Sequence, residues 1–249
     1  MQSTTFDRVL ILGGSSAIAV ELTRCLVGAG TESVCVIGRN ADRIERVRLD
    51  IAARGAKVDA LVMNSGDAPA AAVAFERAWE LHGPFSLVIV AQGSMPDQGR
   101  SLADPEVLGE LIAVNYEAPA AFIATAAKRL SESGHGTVGI ISSVAADRAR
   151  VANFAYGSTK AALEYYVAGM RARYPALRFV TFKPGPTDTR MLSVLGQKPG
   201  LTTPATEVAK GALRALRSKR DVAYLPSWWG GAMFLLRLVP EALFRRLPI

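Results

Sequence analysis

The segment Arg8–Leu26, RVLILGGSSAIAVELTRCL, decides the fold of this chain. It begins with an apolar run, RVLIL, which predicts a strand that is buried on both faces. Gly13 and Gly14 then permit a tight turn, and the amphipathic remainder predicts a helix. A glycine turn of this kind points backbone N–H groups and the positive end of the helix at one place. The segment therefore predicts a cradle for a pyrophosphate, in which Ser15 and Ser16 cap the helix or bind phosphate oxygens.

The same alternation of apolar runs and amphipathic helices continues almost to the end of the chain. It predicts further strands at Ser33–Ile37, Lys57–Met63, Ser86–Val90, Gly136–Ile141, Leu177–Phe182 and Val222–Leu225. Alternation over this length implies right-handed crossovers between parallel strands. The sequence therefore predicts an α/β fold, a Rossmann-type doubly wound parallel sheet of about seven strands with helices on both faces.

Length and composition fit one large domain of this kind. The chain has 249 residues, of which 50% are hydrophobic, and this is enough for a sizeable core. Cys25 and Cys35 are the only cysteines, and each falls within a predicted helix or strand. They indicate two buried thiols in a reducing compartment. No signal peptide is apparent at the amino terminus, so we expect a cytoplasmic protein.

The last part of the chain departs from the alternation. Residues 226–249, PSWWGGAMFLLRLVPEALFRRLPI, combine two tryptophans, an apolar run and three arginines, namely Arg237, Arg245 and Arg246. The apolar run is too short to span a bilayer, which needs about 20 residues. We therefore predict a dinucleotide-binding and catalytic domain over residues 1–225, followed by a tail. The tail packs on the domain or on a second subunit, or it lies at a membrane surface with its arginines on phosphates.

The net charge of +7 and the pI of about 9.7 indicate an affinity for anions. The chain carries no zinc-ligand set, no RNA-binding aromatic motif and no basic recognition helix, so we expect neither a metal site nor a nucleic-acid partner. Anionic cofactors, phosphorylated substrates or an anionic membrane surface account for the charge equally well. A solvated basic surface without a role is the remaining alternative.

Residues 155–160, AYGSTK, place a tyrosine and a lysine four residues apart at the start of a predicted helix. Tyr156 and Lys160 therefore share one helix face. A neighbouring ammonium favours the phenolate and lowers the pKa of a tyrosine, which suits a proton donor in ketone reduction. Ser143 follows the fifth predicted strand, at the edge of the sheet where binding crevices form. We expect Ser143 and Tyr156 to converge on one carbonyl oxygen.

The end of the second strand, IGRNADR, bears on the choice of nucleotide. A site that selects NAD is expected to carry an acidic residue here, but this chain has Arg39 and Asn40. Arg39 can pair with a 2′-phosphate, so NADP(H) is favoured and NAD(H) is the alternative. An exposed loop arginine without a role is the other interpretation.

These motifs resemble the short-chain dehydrogenase/reductase family over essentially the whole chain. The resemblance implies a catalytic tetrad of Asn115, in VNYEAP, with Ser143, Tyr156 and Lys160. In that family the tyrosine is the acid/base and the serine orients the carbonyl. The lysine binds the nicotinamide ribose and lowers the pKa of the tyrosine, while the asparagine supports a proton-relay water.

The resemblance also implies which residues hold the dinucleotide. The segment KPGPTDTRM would wrap the nicotinamide and pyrophosphate, VAQGS would lie beneath the adenine ribose, and Asn64 would meet the adenine amine. The implied cofactor-binding residues are Gly13, Ser15, Ser16, Ile18, Arg39, Asn64, Ala91, Gly93, Tyr156, Lys160, Pro184, Gly185, Thr187 and Thr189.

One departure from the family's glycine turn concerns its second and third glycines. This chain carries Ala17 and Ala19 at those positions. A methyl group at Ala17 could crowd the pyrophosphate, and one at Ala19 could push the helix away from the sheet. Each is small enough to be accommodated by a slight shift, so the expected effect is on cofactor affinity.

Two segments, DRARVANFAYGSTKAAL and VPEALFRRLPI, resemble one subgroup, the decaprenylphosphoryl-2-keto-β-D-erythro-pentose reductases. That resemblance implies reduction of a 2-keto pentose on a polyprenyl phosphate to the arabinose epimer. A flavin-dependent oxidase partner would first oxidise the ribose hydroxyl group. Arg148 and Arg150 would meet the substrate phosphodiester, or they are surface charges. The subgroup is described as using NADH, which conflicts with the interpretation of Arg39.

Two other functions remain open on the sequence. One is an NADPH-dependent ketoreductase acting on another carbonyl or lipid substrate. The other is a catalytically silent family member that binds nucleotide, which only Ala17 and Ala19 favour. The resemblance also implies a homo-oligomer and is compatible with peripheral contact at the inner face of the plasma membrane. A periplasmic location beside the partner is disfavoured by the absence of a signal peptide.

Overall fold

The computed structural model describes residues 6–195 and 200–246, so the first residues and the final Leu-Pro-Ile of the tail lie outside the described part. All seven predicted strands are present, with ends that differ by at most two residues from those expected. The strands are β1 Arg8–Leu12, β2 Ser33–Gly38, β3 Lys57–Val62, β4 Leu87–Val90, β5 Thr137–Ile141, β6 Arg178–Pro184, the short β7 Thr187–Asp188 and β8 Thr203–Pro204, and β9 Val222–Leu225.

Seven of these strands form one parallel sheet in the order β3-β2-β1-β4-β5-β6-β9. The chain runs from β1 outward to β3 and then returns to place β4 on the other side of β1. This reversal is a topological switch point, where the carboxyl ends of the strands open a crevice. The predicted doubly wound α/β fold is therefore confirmed. The short β7 and β8 form a separate parallel pair.

Helices cover both faces of the sheet. They are α1 Ala17–Val27, α2 Ala41–Ala52, α3 Ala68–His82, α4 Gln98–Ala103, α5 Pro105–Ile112, α6 Ala118–Glu132, α7 Phe154–Arg173, α8 Ala205–Leu216, α9 Trp229–Leu238 and α10 Glu241–Phe244. Helices α1, α2 and α8 pack on one face, and α3, α6 and α7 pack on the other. Two hydrophobic cores result, one on each side of the sheet.

The central strand β1 shows why its sequence had to be apolar throughout. Val9 and Ile11 point into one core, whereas Leu10 and Leu12 point into the other. Side chains alternate between the two faces of a strand, and both faces of this strand are covered. All four side chains are fully buried. A continuous aliphatic run is therefore the pattern that this position requires.

The carboxyl-terminal tail packs on the domain through one side of its helices. Trp229 and Met233 of α9 are buried against Val144, and Phe244 of α10 is also buried. The other side leaves large apolar side chains exposed, namely Trp228, Phe234, Leu235, Leu238 and Leu243. The structure therefore supports the packed alternative for the inner side of the tail. What the outer side contacts stays a prediction.

Two further expectations concern membrane-spanning helices and thiols. Among the described residues, one helical stretch, Pro105–Glu132, is long and apolar enough to cross a membrane. Its α6 part buries Phe122 and Ile123 in the core, as the central helix of a folded domain does. Cys35 is buried and Cys25 is only partly buried, so the prediction of two buried thiols is correct for Cys35 alone.

Candidate active site

The predicted tetrad meets at the carboxyl edge of the sheet. Ser143 lies two residues after the end of β5, and Tyr156 and Lys160 lie in the first turns of α7. Asn115 lies in a π-helical turn, Ala113–Glu117, between α5 and α6. The 3-10 turn after Ser143 packs on α7, and the π-helical turn also contacts α7. The fold thus brings together residues that are widely separated in the sequence.

Tyr156 is buried in a small apolar cluster with Met95 and Ala145. Burial raises the pKa of Tyr156 to about 12, and a hydrogen bond with Ser143 lowers it by a smaller amount. The sequence predicted a pKa lowered by Lys160, but that ammonium lies 5.8 Å from the centroid of the phenol ring and burial dominates. That prediction is wrong in direction for the structure described. The phenol is therefore protonated at neutral pH, the form that a proton donor needs.

Lys160 occupies a tight buried position beside the tyrosine. Its Nζ donates to the carbonyl oxygens of Gln92 at 3.4 Å and Ile141 at 3.3 Å. Burial lowers the pKa of Lys160 to about 8, while Glu164 raises it. Gly93 makes room for this side chain, because a Cβ at that position would lie 3.1 Å from Nζ. A larger residue there would displace the ammonium.

The side chain of Asn115 joins the loop after β4 to helix α7. Its Oδ1 accepts from the backbone N–H of Ser94 at 2.7 Å, and its Nδ2 donates to Ser94 O at 2.9 Å and Thr159 Oγ1 at 3.0 Å. The side chain is fully buried. A π-helical turn is a common way of re-aiming one side chain at a functional site. The structure thus gives Asn115 a structural role, and the implied support of a water stays a prediction.

The glycine turn is tight, as predicted, but the N–H groups of its two glycines bind within the protein. Gly13 has φ +78°, and both Gly13 and Gly14 donate their N–H groups to the carbonyl oxygen of Ile37. A Cβ on Gly13 would lie 2.5 Å from the backbone nitrogen of Gln92, so only glycine lets β1 and β4 approach this closely. Ser16 is the N-cap residue of α1, yet its hydroxyl group makes no capping bond.

The two alanines in the turn are accommodated differently. Ala17 is the first residue of α1 and is exposed. Ala19 is fully buried within the core, and α1 still buries Ile18, Leu22 and Leu26. The core therefore accommodates the methyl group of Ala19, which packs between α1 and the sheet. The effect of Ala17 on affinity stays a prediction.

Basic residues lie at the end of β2 next to the glycine turn. Arg39 is exposed, and the side chain of Asn40 caps α2 by accepting from the N–H of Arg43 at 2.9 Å. Arg43 and Arg46 line a surface cleft of about 250 Å³ together with Ser15. Sequence reasoning missed these two arginines. The available signal was their position on the first turns of the helix that follows Arg39.

The other implied cofactor residues lie along the same edge. Ala91 and Gln92 are buried at the end of β4, and the Gln92 side chain donates to Ser65 O at 2.6 Å and Val114 O at 2.9 Å. Asn64 is exposed after β3. Pro184 ends β6, and Gly185, Thr187 and Thr189 follow it.

Gly185 contacts a residue that the sequence did not indicate. The indole of Trp229 packs directly on Gly185, and a Cβ there would lie 2.8 Å from Trp229 Cδ1 and closer still to Nε1 and Cε2. Trp229 is 8% exposed, and its buried Nε1 has no hydrogen-bond partner in residues 6–195 and 200–246. The tail therefore forms one wall beside the implied nicotinamide loop.

Arg148 does not have the surroundings predicted for a substrate ligand. Its guanidinium donates to the carbonyl oxygens of Leu236, Arg237 and Val239 at the end of α9 and pairs with Glu241 at 3.0 Å. It also lies 4.1 Å from the ring centroid of Phe244. Arg148 thus anchors the tail through Nη1 and Nη2. These contacts favour a structural role, and the binding of a phosphodiester by Arg148 stays a prediction.

Arg150 has the opposite character. Its Nη2 is buried and lacks a hydrogen-bond partner within the described residues. Burial lowers the pKa of Arg150, and Asp147 opposes that effect. Gln98 on α4 is similar. Its Oε1 accepts from the N–H of Ala155 at 3.1 Å, while its buried Nε2 has no hydrogen-bond partner in the part of the chain that the structure describes. Sequence reasoning missed Gln98, which no motif marks.

A larger surface cleft, of about 510 Å³, lies at the opposite edge of the sheet. Its lining includes Arg8, Ser33 and Lys57, which begin strands β1, β2 and β3. None of the tetrad residues contributes to it. Size alone therefore does not identify the functional crevice here, and the arrangement of reactive groups does.

Comparison with known proteins gives one consistent result. Residues 7–200 match the family model described as short chain dehydrogenase. An uncharacterized oxidoreductase of Mycobacterium tuberculosis is 31% identical over 252 residues, covering 100% of both chains. A solved structure of a short chain dehydrogenase/reductase family protein has a TM-score of 0.77 at 28% identity, covering 88% of this chain and 94% of the other. A short chain dehydrogenase from Burkholderia cenocepacia in complex with NADP has a TM-score of 0.81 at 23% identity, with 100% of both chains covered.

Proposed function

This chain belongs to the short chain dehydrogenase family and is an NAD(P)-dependent oxidoreductase, and we propose that it reduces a ketone at the site around Tyr156. The observation that carries the proposal is the buried, protonated Tyr156 phenol, hydrogen-bonded to Ser143 with Lys160 beside it. These groups lie at the carboxyl edge of the sheet, where a nucleotide and a substrate would meet.

In the proposed reaction, Ser143 and Tyr156 donate hydrogen bonds to the carbonyl oxygen of the ketone. The nicotinamide cofactor, when bound, supplies a hydride to the carbonyl carbon. The phenol of Tyr156 gives its proton to the oxygen as negative charge develops there. Lys160 stabilises the phenolate that remains and binds the nicotinamide ribose, while Asn115 holds the loop after β4 against α7.

We assign NADP(H) as the preferred cofactor, with NAD(H) as the alternative. The start of α1 fits a pyrophosphate, because the positive end of the helix lies there and its first N–H groups donate no hydrogen bond to the side chain of Ser16. Arg39 directly follows β2, and Arg43 and Arg46 of α2 line a cleft with Ser15, so we place the 2′-phosphate beside these arginines. These three arginines outnumber the two carboxylates of the same segment, Asp42 and Glu45, which favours a phosphate over a ribose hydroxyl group.

The finer proposal is that the substrate is a 2-keto pentose on a polyprenyl phosphate and that the product is the arabinose epimer. The resemblance of residues 147–163 and of the tail to one reductase subgroup supports it. The buried Nη2 of Arg150, which lacks a hydrogen-bond partner within the described residues, supports an anionic substrate, since a phosphodiester oxygen could accept from it. A flavin-dependent oxidase would supply the ketone as the partner enzyme.

Two proposals about assembly accompany this function. The first is a homo-oligomer in which the exposed face of α7, with Ala162, Tyr165 and Gly169, meets a second copy. The second is peripheral membrane contact through the exposed apolar side chains of α9, with Arg237 nearby. Contact at the inner face of the plasma membrane would bring a lipid-linked substrate to the crevice.

A coupled assay tests the function. Membranes, polyprenylphosphoryl ribose and a flavin-dependent oxidase are combined with this protein and with NADH or NADPH. The Tyr156→Phe variant removes the proton donor, and Tyr165→Phe on the exposed side of the same helix is the matched control. We expect arabinose product from wild type and Tyr165→Phe, with loss of roughly 100-fold or more in Tyr156→Phe.

The other outcomes separate the levels of the proposal. Reduction of small ketones without arabinose product would overturn the substrate and retain the ketoreductase. Nucleotide binding without turnover of either substrate would favour a silent family member. Full activity in Tyr156→Phe would refute the proposed mechanism. A preference for NADH would overturn the assignment of Arg39.

A further inference from the structure

A buried cluster of charged side chains lies directly behind the catalytic residues. Lys183 of β6 pairs with Asp147 at 2.5 Å and with Glu164 of α7 at 2.7 Å. The side chains of Lys183 and Asp147 are 5% and 3% exposed. Tyr224 of β9 donates to the other oxygen of Asp147 at 3.0 Å. The cluster therefore ties together four neighbouring segments at the carboxyl edge of the sheet.

Glu164 connects this cluster to the tetrad at two points. Its second carboxylate oxygen accepts from Ser142 Oγ at 2.5 Å, and Ser142 directly precedes Ser143. Glu164 also lies four residues after Lys160, one turn along the same helix. One carboxylate thus reaches the strand end that carries the catalytic serine and the helix face that carries the catalytic lysine.

We propose that Glu164 is a positioning residue for ketone reduction, which holds Ser143 through Ser142 and balances the charge of Lys160. This inference rests on the proposed roles of Ser143 and Lys160. Glu164 does not touch the reacting atoms. It acts by restricting the backbone at Ser143 and by placing a negative charge behind the lysine.

The charge balance explains why a carboxylate is needed here. Lys160 and Lys183 are buried cations, and Asp147 and Glu164 are the carboxylates that face them. A neutral glutamine could still accept from Ser142, but Lys183 would keep only its pair with Asp147 and Lys160 would lose the negative charge of Glu164. Removing one partner of a buried pair leaves an uncompensated charge, which is strongly unfavourable.

Other charged and titratable groups around Glu164 are included in this balance. Arg171 on α7 and Tyr224 on β9 both interact with its charge. Arg237 of α9 lies 3.8 Å from Asp147 and remains half exposed. Arg171 and Arg237 are positive, so they cannot replace the lost carboxylate as a partner for Lys160.

The sign of the pH effect follows from Lys160. Burial lowers the pKa of Lys160 to about 8, and Glu164 is the group that raises it. The lysine acts as a cation, so activity falls when pH rises past the point where it loses its proton. Without the charge of Glu164 that loss begins at lower pH. An ion pair with a purely structural role would not change the pH at which activity falls.

The test compares Glu164→Gln with Glu76→Gln over pH 6 to 10. Glu76 pairs with Arg129 at 2.7 Å between α3 and α6, so its substitution removes a similar ion pair away from the site. Turnover of a small ketone with NADPH, nucleotide affinity and thermal unfolding are measured for both. We expect the alkaline limb of kcat to move down by about one pH unit in Glu164→Gln only.

Ser142→Ala keeps the test decisive if Glu164→Gln does not fold. It removes only the hydrogen bond to Glu164, so kcat should fall about 3- to 10-fold while the alkaline limb stays in place. The inference is overturned if Glu164→Gln has the wild-type pH profile, or, where that variant does not fold, if Ser142→Ala has wild-type kcat. Full activity in Tyr156→Phe would instead refute the proposed function, whatever the Glu164 variants show.

Discussion

Replacing Gly13 by alanine tests the geometry of the phosphate cradle, and the chain supplies a matched control. Gly13 has φ +78° and Gly134, after α6, has φ +80°. A Cβ on Gly134 would meet no atom within 4 Å. A Cβ on Gly13 would lie 2.5 Å from Gln92 N, 2.7 Å from Gln92 Cα and 2.8 Å from Ala91 C. Both substitutions therefore carry the free-energy cost of an alanine at positive φ, and only Gly13→Ala adds a steric clash.

The magnitudes follow from these contacts. An alanine at positive φ costs about 1–2 kcal/mol, which applies at both positions. At Gly13 the new carbon falls about 0.9 Å short of the 3.4 Å at which ordinary contacts begin. Its neighbours are backbone atoms, and the N–H of Ala91 is held by Leu12 O at 2.8 Å. Overpacking against atoms that cannot rotate away adds about 1–3 kcal/mol.

Urea unfolding followed by circular dichroism measures both variants without nucleotide. We expect Gly13→Ala to lose about 2–5 kcal/mol of unfolding free energy and Gly134→Ala about 1–2 kcal/mol. NADPH affinity, followed by tryptophan fluorescence, should fall in Gly13→Ala and stay unchanged in Gly134→Ala. An equal or smaller loss of stability in Gly13→Ala would refute the steric reasoning.

Three further predictions follow from the site. Arg148→Met should lower the melting temperature and free the tail to proteolysis, with KM for the substrate unchanged; a selective rise in KM would instead support its role as a phosphate ligand. Gly185→Ala should destabilise the protein by about 1–3 kcal/mol, because the new methyl group clashes with the indole of Trp229. The double variant with Trp229→Ala should lose less unfolding free energy than the sum of the two single losses, since the indole is then absent. Strictly additive losses would contradict the contact between Gly185 and Trp229. Lys160→Met should gain up to about 3 kcal/mol over wild type below pH 8, where the native lysine is a buried cation. That gain should shrink as pH rises toward 10, because the native lysine then loses its proton before the unfolded one does. Urea midpoints across this range would show a pH-independent difference if burial of the charge were not the cause.

The architecture could be read from the sequence because it depends on local patterns. Each central strand is covered on both faces, so it had to be a continuous aliphatic run, as in β1, and the runs mark the strands directly. The glycine turn and the Tyr156–Lys160 spacing are also local, since a turn and one helix face involve residues close in the chain. The family follows from these motifs, and the comparisons confirm it.

The electrostatic state of the site was decided by tertiary structure. The sequence predicted a lowered pKa for Tyr156 from the nearby Lys160, but burial between Met95 and Ala145 raises it to about 12. Desolvation depends on every atom around a group, including atoms from distant segments. A spacing of four residues carries no information about it.

The sequence also could not indicate which groups the long basic side chains contact. Arg148 and Arg150 are two residues apart in one loop, yet one holds the end of α9 while the other has an unpaired buried nitrogen. Glu164 and Lys183 belong to different elements and meet only when the sheet and α7 assemble. The sequence by itself determined the strands, the turn and the helix face of the tetrad, because these are properties of neighbours in the chain. Only the tertiary structure decided burial and ion pairing, because these are properties of neighbours in space.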